Sequence, residues 1–280
     1  MTHIDNLPGD LIEVSTLPLG MQVNMGKKAG YSVIDKFGVN PEITVGTDPE
    51  DVWEGGGLYS YDTFGTAPIV SIASNNAGDT QEISIDGLDI NGAFVNQKIT
   101  LQGTTRTALT TALWRVFRLE NEADAGGDIS GTVFCYTGTG AVPSLLDSEV
   151  RAVILNGNNQ TQMALYTIPK GKVGYLFRGE IGIEYSGSVG AGTNFAKVQY
   201  QSRRVGKVFK TKKTINVISA ANSNYGDVRS FPDAIPALTD IKVKCLQVSE
   251  TMGVWATLDM MLIDETELDR DFLDAIGQPR

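Results

Sequence analysis

Short runs in which apolar and polar residues strictly alternate, each closed by Gly, Asn or Pro, constrain this chain more than any other feature. In Glu82-Ile83-Ser84-Ile85-Asp86 the isoleucines share one face, and Glu82, Ser84 and Asp86 the other. Lys98-Ile99-Thr100-Leu101-Gln102 repeats the pattern. Successive side chains of a strand point to opposite faces, so a period of two with one apolar face predicts half-buried β-strands. Asn91-Gly92 lies between these two runs. Gly accepts positive φ and Asn is among the least penalised alternatives, so the pair predicts a turn and the two runs a hairpin with irregular ends.

The same grammar continues along the chain. Ile69 to Ile72, Trp114 to Glu120 and Thr132 to Tyr136 complete a first β module ending near Gly140. A second opens with Val150 to Leu155 and the Asn156-Gly157 turn. It continues through Met163 to Ile168, the Pro169-Lys170-Gly171 turn and Lys172 to Phe177. Gly182 to Tyr185, the Ala196/Val198/Tyr200 face and Val205 to Lys210 extend it. In Ile241 to Val248 the apolar phase shifts between Cys245 and Leu246, as a β-bulge would make it. Ala256, Leu258, Met260 and Leu262 form the inner face of the last strand. Beyond it Leu268, Phe272, Leu273 and Ile276 fall on one helical face, with Asp264 and Glu267 spaced as an acidic capping box.

The first 66 residues read differently. Pro8, Pro18, Pro41 and Pro49 interrupt any long element, which predicts an extended arm. Within it Asp48-Pro49-Glu50-Asp51 has the chemistry of one helical turn, with Asp48 as its cap. The expected architecture is all-β: antiparallel, jelly-roll-like β-sandwich modules with an N-terminal arm over 1–66. Modules over 67–140 and 141–263 follow, then a short acidic helix or tail over 264–280. A chain of 280 residues buries enough core to need no disulfide or metal. Cys135 and Cys245 each sit in an apolar run and read as buried thiols of a reducing compartment, with a bridge between them left open. A basic n-region and an uninterrupted apolar run of about 18 residues are both lacking, so neither a signal peptide nor a membrane span is expected.

Catalytic chemistry finds few donors. His3 is the sole histidine and sits at an end expected to be mobile, so histidine relays and histidine zinc sites lack a donor. Gly55-Gly56-Gly57 is followed by Leu58-Tyr59, without the Lys of a phosphate loop. Asp89, Asn91 and Gly92 match positions 3, 5 and 6 of an EF-hand loop, but Gly87 and Lys98 would stand at positions 1 and 12, so a hairpin turn is the reading kept. Carboxylates are plentiful, yet strand spacing alone does not pair two of them for glycoside hydrolysis. No catalytic, cofactor-binding or metal residue is predicted, and the chain is expected not to be an enzyme.

Two groups of residues are interface candidates. Trp53, Tyr59 and Tyr61 could stack on a sugar ring, or pin the arm to its own or a neighbouring subunit. Lys207, Lys210 and Lys212 belong to a stretch with Lys197, Arg203, Arg204 and Lys213 that is free of acids and interleaved with Tyr200 and Phe209. That composition resembles a single-strand-binding pattern. A net charge of -10 argues against nucleic acid, leaving solvated strand faces or a dock for an acidic protein surface.

Glu50 to Tyr59, Ile83 to Thr104 ending in Leu101-Gln102-Gly103-Thr104, and Leu113-Trp114-Arg115-Val116-Phe117-Arg118 together carry a family resemblance. So do Ala164 to Lys172, Thr239 to Val243 and Met260-Met261-Leu262-Ile263-Asp264. In this order the stretches resemble a group of tailed-phage virion structural proteins. The resemblance implies a virion component, assembled in the host cytoplasm as a homo-oligomer, whose partners are the major capsid protein or other virion proteins. A head decoration or cement protein is the leading expectation, with a neck, baseplate or fibre component as its alternative. A carbohydrate- or receptor-binding module is the alternative from a different class.

Overall fold

The structure, a computed structural model, describes residues 18–46, 49–124, 127–145, 147–184, 194–219, 224–228 and 233–277. A short helix, Leu19–Asn24, leads into β1 (Tyr31–Ile43) and β2 (Glu50–Asp51). A first body follows, built from β3 (Ile69–Ser74), β4 (Glu82–Leu88), β5 (Phe94–Thr100), β6 (Thr107–Leu113), β7 (Arg115–Asn121), β8 (Val133–Thr137) and β9 (Val150–Ile154). Its sheets run β6-β3-β8-β9 and β5-β4-β7.

The second body holds β10 (Leu165–Thr167), β11 (Lys172–Glu184), β12 (Asn194–Arg204), β13 (Lys210–Ser219), β14 (Asn224–Val228), β15 (Ala234–Ile235), β16 (Thr239–Val248) and β17 (Met252–Asp264). Its sheets run β1-β17-β11-β14, with β15 on β11, and β10-β16-β12-β13, with β2 on β16. Every strand pair among the described residues is antiparallel, so the all-β sandwich expectation holds.

Alternation places the cores. In the first body Ile69, Ile72, Ile83, Ile85, Leu119, Val133 and Ile154 are fully enclosed between the two sheets. In the second, Val198, Val243, Ala256, Leu258 and Met260 do the same. Each such aliphatic side chain contributes roughly 1.5–3 kcal/mol by leaving water. The predicted hairpin is present as β4 and β5, paired from Glu82↔Thr100 to Leu88↔Phe94. Its turn is set by Asp89, whose Oδ1 accepts from Asn91 N and Ala93 N, and by Gly92 at φ 78°. The predicted bulge is also present: Lys197 pairs with Gln247 and Val198 with Cys245, leaving Leu246 between them unpaired.

The structure departs from the sequence expectation at both ends of the chain and at two interior strands. Residues 31–43, inside the segment read as an arm, form a strand of 13 residues that pairs with β17 from Tyr31↔Ile263 to Ile43↔Met252. Glu50 and Asp51 are not a helical turn but pair with Cys245 and Lys244, because β16 offers them an open edge; the proposed cap Asp48 lies outside the described residues. The rest of the predicted arm, residues 1–17, lies outside the described residues. β9, assigned by sequence to the second module, pairs with β8 and packs in the first core. The strand read at 205–210 begins at Lys210 instead, after a turn at Val205-Gly206-Lys207. At the other end the helix is Arg270–Ile276, and its N-cap is Asp269, whose carboxylate accepts from Asp271 N and Phe272 N. Asp264 caps only a 3₁₀ turn and makes no side-chain cap bond.

Candidate interaction groove

The two bodies meet across a seam of buried charge. Asp240, at the start of β16, accepts from Arg115 Nε (3.1 Å) and Nη2 (3.2 Å), from Arg203 Nε (2.9 Å) and from Thr167 Oγ1 (2.6 Å). Arg115 comes from β7 of the first body, so this carboxylate joins one body to the other. Leu238 is the one non-glycine residue with positive φ (56°) among those described. Its N–H donates to Ile168 O and its carbonyl accepts from Val205 N, which fixes the turn that aims Thr239 and Asp240 into the seam.

Residues 59–64 thread between the bodies. The carbonyl of Asp62 accepts from Trp114 Nε1 and Arg115 Nη1, both at 2.9 Å, and the Asp62 carboxylate takes a two-pronged bond from Arg151, both prongs at 2.8 Å. The Tyr61 ring is faced by Arg115, Arg203 and Lys242, whose charged groups lie 5.0, 4.6 and 5.7 Å from its centroid. Phe209 stands 5.2 Å away and shares Arg203 and Lys242. A guanidinium or ammonium over an aromatic face is drawn to the ring quadrupole, so these rings hold the cations in place. Lys242 itself pairs with Asp51 at 2.8 Å. Burial pushes the Asp51 carboxyl up and the Lys242 ammonium down, while each opposes the other's shift by attraction.

Outside this seam lies a groove of about 400 Å³, lined by residues of β11, β12, β13, β15 and β16. Its floor is apolar, with Leu176, Ile235, Pro236 and Ile241, and Ile276 of the C-terminal helix closes one side. Its rim is basic: Arg203, Arg204, Lys207, Lys210 and Lys212 line it against Asp233 as the one acid. Arg203 is held by Asp240, and Arg204 donates to the Ile276 carbonyl. Lys207, Lys210 and Lys212 are exposed and make no ion pair among the described residues. Val208 stands 74% exposed on the turn between β12 and β13.

The candidate residues thus separate. The three lysines come together on the groove rim. Trp53 and Tyr59 are 4% and 6% exposed, and Tyr61 is packed in the seam, so these aromatics are interior rather than a surface platform. They form a chain of edge contacts, Trp53 to Tyr59 at 5.2 Å and Tyr59 to Tyr61 at 4.8 Å. Cys135 and Cys245 are free, one in each core, and burial pushes their thiols up to about 12 and about 11. The seam itself went unread. Its signals were charges set inside apolar runs: Arg115 after Trp114, and Asp240 and Lys242 flanking Ile241. A charge at such a place needs a buried partner.

No protein-family model matches the chain, and no curated protein matches it. Among solved structures, the VP2 subviral particle of infectious bursal disease virus aligns at 12% identity and a TM-score of 0.20, over 84% of this chain and 72% of that one. The structure of the Gt strain of the same virus aligns at 13% identity and a TM-score of 0.17, over 90% and 79%. Likeness of this degree carries no argument about what the chain does.

Proposed function

We propose that this chain is a non-enzymatic structural protein of a virion, a decoration or cement protein of a phage head that works by binding other virion proteins. The resemblance to tailed-phage structural proteins supplies the class. One observation carries the mechanism: the seam acids Asp51, Asp62 and Asp240 are each held by a cation of the fold, while Arg203, Arg204, Lys207, Lys210 and Lys212 gather along one groove. A carboxylate held by two arginines and a threonine is a joint rather than a proton carrier. The two bodies therefore act as one stiff block, and the groove is the surface such a block offers to an acidic partner such as the major capsid protein. The carbohydrate-binding alternative has less support, because Trp53 and Tyr59, two of the three aromatics it relied on, are buried.

Counting this chain in purified particles tests the proposal. On the order of hundreds of copies, set by the symmetry of the shell, supports a decoration role. About a dozen would move the protein to the neck, baseplate or fibre. Absence from the particle would remove it from the virion altogether.

A further inference from the structure

We propose that the basic groove is filled by the chain's own residues 1–17. Charge, composition and reach support this occupant independently of any virion role. Residues 1–17 hold Asp5, Asp10 and Glu13 and no Lys or Arg; the first basic side chain other than His3 is Lys27. The same stretch carries Ile4, Leu7, Leu11, Ile12, Val14 and Leu17. An acidic segment studded with aliphatic side chains complements a groove with an apolar floor and three rim lysines that make no ion pair among the described residues. The other stretches of more than two residues outside the described set do not. Residues 185–193 and 220–223 carry no charge, and 229–232 and 278–280 carry Arg229 and Arg280.

Reach is sufficient. The chain enters β1 at Gly30, whose carbonyl accepts from Asp264 N and whose Cα lies against the Glu267 side chain. Glu267 closes the 3₁₀ turn that leads to the helix Arg270–Ile276, and Ile276 lines the groove. Gly30 therefore stands beside the turn that leads into the helix whose Ile276 lines the groove. Seventeen extended residues span up to about 55 Å, several times the length of that helix. The cost is the ordering of those residues, which burial of the aliphatic side chains and charge pairing along the rim must exceed. An acidic partner would then compete with this segment for the same groove.

Zero-length carbodiimide coupling of carboxylates to lysines in the full chain, mapped by mass spectrometry, tests this. The expected products join Asp5, Asp10 or Glu13 to Lys207, Lys210 or Lys212 within one chain, as a mixture of isotopically light and heavy protein reads out. Lys98 and Glu122, exposed and 3.0 Å apart, supply the internal control. Trypsin cleavage after Lys207 and Lys210 should be about tenfold faster in the triple variant Asp5→Asn, Asp10→Asn, Glu13→Gln than in the parent, since cleavage samples the uncovered state. Control coupling without any of the expected products, coupling only between chains, or equal cleavage rates would each overturn the proposal.

Discussion

Arg115 and Asp240 stand 125 residues apart in sequence, yet their side chains, 4% and 1% exposed, meet through two hydrogen bonds across the junction of the two bodies. Arg203 and Thr167 complete the shell around the same carboxylate. Taking charges out of water is costly, and the cost is recovered only while every member of such a cluster stays paired. Asp240→Asn leaves the buried Arg115 guanidinium and the half-buried Arg203 guanidinium facing a neutral amide and is expected to cost about 3–5 kcal/mol. Urea unfolding measures it. A change below about 1 kcal/mol would mean that the seam does not hold the bodies together.

Lys36 predicts a pH dependence. It is buried on β1, with Nζ 2.5 Å from the Phe117 carbonyl of the first body. Burial, helped by the Arg118 charge and resisted by Asp86 and Asp35, pulls its pKa from 10.5 to about 7. Between those two values the unfolded chain holds a proton that the folded chain does not, so stability from this group grows as pH rises through the window and is lost as pH falls through about 7. Lys36→Met removes the titration and the bond to Phe117. The variant should be more stable than the parent below pH 7, by about 1–3 kcal/mol, with the gap closing towards pH 10. Thermal melts at three pH values decide it, and a gap that does not vary with pH would refute it.

Glu54 should titrate in the opposite sense. Its carboxylate accepts from Asn158 Nδ2 at 2.5 Å and Gln162 N at 3.1 Å, yet burial outweighs both and raises the pKa from 4.5 to about 7. The folded state then keeps a proton that the unfolded state gives up, so the stability this group contributes is complete below pH 4.5 and lost as pH rises through 7. Glu54→Gln, with Asn158 turning its amide to accept, should be the more stable protein at pH 8 and not at pH 4. The expected difference at pH 8 is on the order of 2 kcal/mol. Equal stability of the two proteins at pH 8 would show that Glu54 is ionised in the fold at no cost.

Legibility from sequence followed the inward face. Ile83 and Ile85, or Ala256 to Leu262, announce a strand because their buried sides are apolar, and even the bulge at Leu246 was visible as a slip of phase. β1 hides because its buried positions include Lys36, Gly38 and Asn40, while Phe37 and Val39 face outward and are only partly covered. An alternation with polar residues inside reads as no alternation. The groove was half legible: the run of lysines marks the rim, but nothing local says that Leu176, Ile235 and Ile276 gather beneath it. Nor does local pattern say that Trp53 and Tyr59 face inward, since exposed and buried aromatics look alike in a segment without periodicity.

Gly38 separates the folded strand from the arm that the prolines suggested. It pairs with Ala256, and it packs so closely on the chain crossing beneath that a Cβ there would overlap the backbone of Met163 and Ala164. Those atoms are not free to retreat. Ala164 N donates to Val52 O at 2.9 Å, its carbonyl accepts from Val243 N at 3.1 Å, and Met163 bridges to Trp53. A methyl group must therefore push β1 away from β17 or break that crossing, and such overpacking costs about 1–3 kcal/mol, occasionally more. Gly38→Ala should lower the urea midpoint accordingly. Hydrogen exchange should rise at the amides of residues 31–43 before it rises in β3 or β8, because the strain enters at the second body. If 31–43 were an arm lying outside the fold, the same substitution would be silent in both measurements, or slightly stabilising through the unfolded chain.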